Sequence, residues 1–122
     1  MWKKTSKEVA DLLSHETKNI ECEQKKMFGC PVYFINGNMF MGAHEDNIFL
    51  RLSEKDRSHL LSTYDETRIF EPIRGRVMRE YVVFPETLYN NKQVFKRVLK
   101  KSIIYVSSLP PKRKKRARRI VR

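Results

Sequence analysis

No acidic residue follows Glu86 in this sequence of 122 residues. Residues 1–86 hold all 14 Asp and Glu together with 13 Lys and Arg, a net charge of −1. Residues 87–122 hold the other 13 Lys and Arg, and the whole chain is at +12. A near-neutral body therefore carries a strongly basic end, and an anionic partner is expected there. Glycine is also scarce. The four glycines, at 29, 37, 42 and 75, build neither G-x-x-x-x-G-K nor G-x-G-x-x-G, so a phosphate-binding loop is excluded. Each reads instead as a turn or a strand bend. The two cysteines, Cys22 and Cys30, are too few to staple a secreted scaffold. They pair only if adjacent strands bring their α-carbons within about 7 Å. With His15, His44 and His59 they show no C-x-x-C or H-x-x-x-H spacing, and no metal or cofactor is expected. Long apolar runs are missing too. The longest, such as Ile103-Ile104-Tyr105-Val106, are four to five residues, against about 20 for a bilayer span. Met1-Trp2-Lys3-Lys4 leads into Thr5-Ser6-Lys7-Glu8 with no apolar h-region, so a cytoplasmic location is expected.

What is present suits one small folded domain with an appended tail. Hydrophobic residues are 40% and charged residues 33%, enough to build one core. Thr5-Ser6-Lys7-Glu8 reads as a capping box, and Val9, Leu12 and Leu13 follow at helical spacing. Val32-Tyr33-Phe34-Ile35, Asn36-Gly37 and Asn38-Met39-Phe40-Met41 read as a type I′ hairpin, because both central residues of that turn need φ > 0. A second turn at His44-Glu45-Asp46-Asn47 leads to Ile48-Phe49-Leu50-Arg51-Leu52, which completes a three-stranded antiparallel meander. Ser53 caps a short helix that turns Leu60 and Leu61 inward. Arg68-Ile69-Phe70 and Glu80-Tyr81-Val82-Val83-Phe84 read as two more strands, joined by an Arg-rich loop over 72–79. From Asn90 or Asn91, Val94, Phe95, Val98, Leu99, Ile103 and Val106 form the apolar stripe of a long helix ended by Pro110-Pro111. The fold class is α+β: a curved antiparallel sheet of about five strands packed by an N-terminal, a short middle and a long C-terminal helix. The domain covers residues 1–111. Residues 112–122, eight basic in eleven, repel one another and are expected to be disordered when free.

Several stretches together resemble a known family. They are Lys26-Met27-Phe28-Gly29-Cys30-Pro31, Asn36-Gly37-Asn38-Met39-Phe40, Leu50-Arg51-Leu52 and Phe70-Glu71-Pro72. Gly75-Arg76-Val77-Met78-Arg79-Glu80-Tyr81 and Ser107-Ser108-Leu109-Pro110-Pro111-Lys112 continue the series. Their order and spacing resemble the N-terminal domain of the TfoX/Sxy family over about residues 6–112, in its stand-alone single-domain form. The resemblance implies a small α+β domain with a curved antiparallel sheet. It also implies a regulatory role, since full-length relatives act as coactivators of competence genes and carry a second, C-terminal domain.

Three groups of residues carry chemistry. The strongest is the basic end. Lys112, Arg113, Lys114, Lys115, Arg116, Arg118, Arg119 and Arg122 would attract any polyanion, and Lys96, Arg97, Lys100 and Lys101, with Lys92, extend that surface along the last helix. The competing readings are a solubilising tail, or contact with anionic lipid through Ile120 and Val121. The second group is Arg51, Arg74, Arg76 and Arg79, whose guanidinium groups suit a phosphate or carboxylate. The favoured alternative is that they pair with Glu71 and Glu80 and fix the loop. The third is Cys30, close to Lys25 and Lys26. A nucleophilic thiol needs a base, and His44 is the candidate across the hairpin. A small, half-buried structural Cys before Pro31 is the preferred reading, and no enzyme is expected. The expected function is a non-enzymatic regulatory or accessory module that binds nucleic acid without strong sequence preference. The alternative is a protein-interaction module using the sheet or the Arg loop.

Overall fold

The computed structural model describes residues 5–27 and 29–112. The expected disorder of the tail therefore concerns, apart from Lys112, residues outside the described ones. Four helices and six strands follow in the order α1 (Lys7–Thr17), β1 (Glu23–Met27), β2 (Cys30–Ile35), β3 (Asn38–His44), β4 (Asn47–Arg51), α2 (Glu54–Thr63), β5 (Arg68–Ile73), β6 (Arg76–Phe84), α3 (Glu86–Tyr89) and α4 (Lys92–Ser107). All strands join one antiparallel sheet in the order β1-β2-β3-β4-β6-β5.

Local chemistry explains most of these boundaries. Ser6, not Thr5, caps α1, its Oγ accepting from the Val9 N–H at 3.3 Å. Ser53 Oγ accepts from Asp56 N–H and Asn91 Oδ1 from Val94 N–H, each at 3.3 Å. Each cap satisfies a donor that a helix start leaves unpaired. Asn36 and Gly37 take φ values of 52° and 82°, as a type I′ turn requires. In the second turn Glu45 adopts φ 59°.

The curved antiparallel sheet, expected with about five strands, has six. Glu23–Met27 is a strand with almost no buried side chain, so no alternation marks it. It forms because β2 has an open edge to pair with, over a register from Glu23↔Phe34 to Met27↔Cys30. Its charges blunt the outer edge against further pairing. The supposed loop over 72–79 is mostly strand, since only Arg74 and Gly75 separate β5 from β6.

The helices cover one face of the sheet. α4 buries Val94, Phe95, Val98, Leu99, Ser102 and Val106 against β2, β3 and β4. Each large apolar side chain there contributes on the order of 1.5–3 kcal/mol. Ser102 is the exception in that stripe. The pairing of β2 with β3 shifts between Tyr33↔Met41 and Phe34↔Met39, so Phe40 bulges out of the ladder. Ser102 Oγ donates to the carbonyl of Phe40 at 3.1 Å. The opposite face holds a smaller cluster of Val32, Phe49, Phe70 and Val83, edged by Met27, Phe34, Met39, Met78 and Tyr81. Phe49 stacks on Phe70 with centroids 4.2 Å apart. Gly42 makes room for this, since a Cβ there would meet the Phe49 ring and Val32 Cγ1.

The chain leaving α4 folds back onto the β2–β3 hairpin. Asn38 Nδ2 donates to the Pro110 carbonyl at 3.0 Å, and the Lys112 N–H donates to the Asn36 carbonyl at 2.8 Å. A Cβ on Gly37 would fall on the Lys112 carbonyl.

Two stability predictions follow from this packing. Ser102→Ala strands the buried Phe40 carbonyl and should cost about 1–3 kcal/mol in chemical denaturation. Gly37→Val is strained at φ 82° and collides with the Lys112 backbone, and should cost about 1–3 kcal/mol or more. Gly75→Ala has φ 89° but nothing within 4 Å of its new Cβ. It should therefore cost less than Gly37→Val. Equal costs would mean that the docked chain end contributes nothing.

Candidate nucleic-acid interface

Burial of the apolar stripe of α4 dictates what its other side presents. Lys92, Lys96, Arg97, Lys100 and Lys101 are all exposed. At 100° per residue, Lys96, Arg97, Lys100 and Lys101 span an arc of about 140°. Ile104, 60% exposed, lies within that arc. Lys101 Nζ is 3.9 Å from Asp56 Oδ1, a contact long enough to leave the ammonium available. Arg97 and Lys101 also line a groove of ≈ 250 Å³ between α2 and α4, with Asp56, His59 and Tyr64.

The docked chain end extends this surface. Lys112 sits on the β2–β3 hairpin, just past the C-terminal end of α4. Arg113, Lys114, Lys115, Arg116, Arg118, Arg119 and Arg122 lie outside the described residues. The point from which they continue is fixed by the Asn36–Lys112 and Asn38–Pro110 hydrogen bonds. Sequence reasoning missed this clamp. A polar Asn directly after an Asn-Gly turn, here only 8% exposed, was its one local signal.

The four sheet arginines are not brought together. Arg51 ends β4, where its Nε donates to Glu80 Oε1 at 2.7 Å. Its guanidinium also lies 5.7 Å from the centroid of the Tyr81 ring. Burial works against the charge, but the Glu80 hydrogen bond outweighs it and holds the Arg51 pKa above its ordinary value. Tyr105 of α4 donates to the same Glu80 oxygen at 3.3 Å, and Tyr81 Oη donates to the Met39 carbonyl at 3.0 Å. Arg51 is thus a structural tie between β4, β6 and α4. Pairing with Glu80 is met at Arg51 alone. Arg74, Arg76 and Arg79 are exposed further along the β5–β6 hairpin. Among the described residues, the ion pairs are Arg51–Glu80 and Lys101–Asp56. Glu71 is used otherwise, its Oε2 accepting from the Gly75 N–H at 2.7 Å.

Cys30 is fully buried, not half-buried, and packs with the cluster under the helices. His44 sets its ring edge-on to Phe70 at 5.4 Å. Burial raises the pKa of the other cysteine, Cys22, and so disfavours its thiolate. Among the described residues, no group of three or more His, Cys, Asp or Glu could hold a metal ion, and no helix is long and apolar enough to cross a membrane.

The model of the TfoX N-terminal domain matches residues 13–104. The chain belongs to the TfoX N-terminal domain family. No curated protein matches it. The family match spans the described body from within α1 to within α4, so the basic residues 112–122 fall outside it. Within this TfoX-type domain, Lys96, Arg97, Lys100 and Lys101 lie inside the matched region.

His44 supplies a pH test of the fold. Burial pushes its pKa below the ordinary imidazole value; Glu45 pulls the other way, and Arg68 adds to burial. The native state therefore binds the proton less readily than the unfolded chain, whose His titrates near about 6.5. The stability this gives is present above about pH 6.5 and is lost as pH falls through the lower native pKa. Denaturant midpoints should drop between about pH 7 and about pH 5, and the drop should be smaller in His44→Gln. Equal drops would place the titration elsewhere.

Proposed function

We propose that this TfoX-type domain is a non-enzymatic regulatory or accessory module of the cytoplasm that binds nucleic acid through its phosphates. The family match supports the regulatory class. The observation that carries the binding is the separation of charge. Residues 1–86 are at −1, whereas all the excess charge follows Glu86. The fold then turns Lys96, Arg97, Lys100 and Lys101 outward on one arc of α4 and docks Lys112 at its end. The α4 face forms a rigid cationic platform, and residues 113–122 add seven further basic side chains in sequence beyond it. Phosphate contacts position a protein without reading bases, so sequence preference from this surface is weak.

The reading predicts a steep salt dependence. If all eight basic residues of 112–122 meet duplex phosphates, their share of the fall of log K with log[salt] is about −0.9 per phosphate, roughly −7. Partial engagement gives about −4 to −6. Replacing the seven basic residues of 113–122 by Gln in the full chain should flatten the slope to about −2 to −3, the share of α4. Adding Lys96→Gln, Arg97→Gln, Lys100→Gln and Lys101→Gln should remove the rest. Fluorescence anisotropy on one duplex across a salt series measures all three proteins. Identical affinities and slopes would reject the basic surface as the binding element, and a protein-interaction role would replace it.

A further inference from the structure

The β5–β6 hairpin is longer than the sheet it belongs to. Pairing between β4 and β6 ends at Arg51↔Tyr81, with the Leu52 N–H donating to the Glu80 carbonyl at 2.9 Å, and Arg76–Arg79 extend past it. Their neighbour is β5, with Phe70↔Met78 and Ile73↔Arg76. The β5–β6 register breaks between Ile69 and Phe70 and again before Ile73, where the ribbon leaves the sheet. The result is a two-stranded arm closed by Arg74-Gly75. Nothing lies within 4 Å of a Cβ placed on Gly75, and residues 73–77 are all exposed.

The side chains on this arm are unusual for a solvated hairpin. Ile73 and Val77 are 49% and 48% exposed. With Ile104 on α4, they are the exposed large hydrophobic residues among those described. Every basic residue on the arm is Arg: Arg74, Arg76 and Arg79. The basic residues of α4 and the tail mix Lys and Arg. The acids that should neutralise these arginines are engaged elsewhere. Glu71 accepts the Gly75 N–H at 2.7 Å and holds the turn. Glu80 accepts from Arg51 at 2.7 Å and from Tyr105 at 3.3 Å. The carboxylates thus build the arm, and three guanidinium groups are left facing water.

The base of the arm adjoins the basic platform. Tyr105, which touches Glu80, is one turn beyond Lys101 and two turns beyond Arg97 on the same line of α4. Whatever polyanion lies along Arg97 and Lys101 runs toward the arm.

We propose that the β5–β6 arm enters the major groove of duplex nucleic acid as a second contact element, with Arg74, Arg76 and Arg79 on base edges and phosphates and Ile73 and Val77 on apolar groove surface. This rests on the phosphate-binding reading of α4 and the tail, and adds to it a preference for duplex form. A two-stranded ribbon fits a major groove about 12 Å wide. The guanidinium fork matches guanine O6 and N7 bidentately, as Lys cannot. A thymine methyl is an apolar partner for Ile73 and Val77. An acidic protein would satisfy the charges alone. It would explain neither the ribbon's dimensions nor its continuity with a surface suited to phosphate.

The test uses the full chain and Arg74→Gln/Arg76→Gln/Arg79→Gln, whose melting temperatures should agree because all three side chains are exposed. Affinity is measured on a 20-base-pair DNA duplex of mixed sequence and on one of its single strands. The variant should lose about tenfold to a hundredfold on the duplex and less than about twofold on the single strand, which has no groove to enter. The wild-type protein should also protect guanine N7 of the duplex from methylation, and the variant should not. Equal losses on both forms, or no N7 protection by the wild-type protein, would overturn the groove contact. Wild-type-like duplex binding by the variant with the salt slope intact would remove the arm and leave the phosphate reading standing. Absence of wild-type binding to either form would remove both. Loss of binding to poly-glutamate, with duplex binding kept, would reassign the arm to an acidic protein.

Discussion

The structure depends on the seating of α4 over the bulged strand β3. The bulge at Phe40 takes one carbonyl out of the β2–β3 ladder, and Ser102 Oγ meets it at 3.1 Å. A buried carbonyl without a donor is costly, so helix position and strand irregularity fix each other. With Ser102 in place, Val94, Phe95, Val98, Leu99 and Val106 fall on β2, β3 and β4. Everything proposed about charge follows from that rotation. The same turn of the helix that buries Val98 and Leu99 exposes Arg97 and Lys100. The helix C-terminus is delivered to the Asn36-Gly37 hairpin, where Lys112 is held.

Among the described residues, the other face of the sheet carries no helix, and it closes on itself. Gly42 lets the Phe49 ring lie close against β3, and Phe70 stacks on that ring at 4.2 Å. Sheet curvature brings Met27, Phe34, Met39 and Met78 to the rim of this cluster. Flexible Met side chains suit such a shallow, irregular boundary. The strand that contributes Phe70 also leads into the arm. The second cluster is therefore the foundation of the projecting ribbon, as well as a small core.

Charge is handled differently in the two halves of the molecule. In the body, acids are tied locally, with Glu80 on Arg51 and Glu71 on a backbone N–H, and Asp56 lies near Lys101 of α4. Pairs as exposed as Lys101–Asp56 add little to stability, so their role is to place groups. Beyond Glu86 no acid is available for pairing. Lys96, Arg97 and Lys100 of α4 are left to water or to an external polyanion.

Local signals in the sequence determined much of this protein. The Asn36-Gly37 turn, the Ser53 and Asn91 caps, the apolar stripe of α4 and the charge boundary at Glu86 were all legible. Each depends on residues a few positions apart. What depended on distant partners was not legible. β1 carries no apolar alternation and is a strand only because β2 offers an edge. The 72–79 segment looked like a loop, because Pro72, Gly75 and three arginines mask a ribbon that pairs mainly with itself. Arg51 and Arg76 looked like members of one cluster, yet the register of β4 on β6 puts Arg51 at the base of the arm and Arg76 near its tip. Cys30 looked half-buried before Pro31, and the packing of the helices over the sheet buries it completely. Spacing along the chain decides helices and turns, because their hydrogen bonds close within four residues. Which side chains meet across the sheet was decided only by register, bulges and the docking of α4.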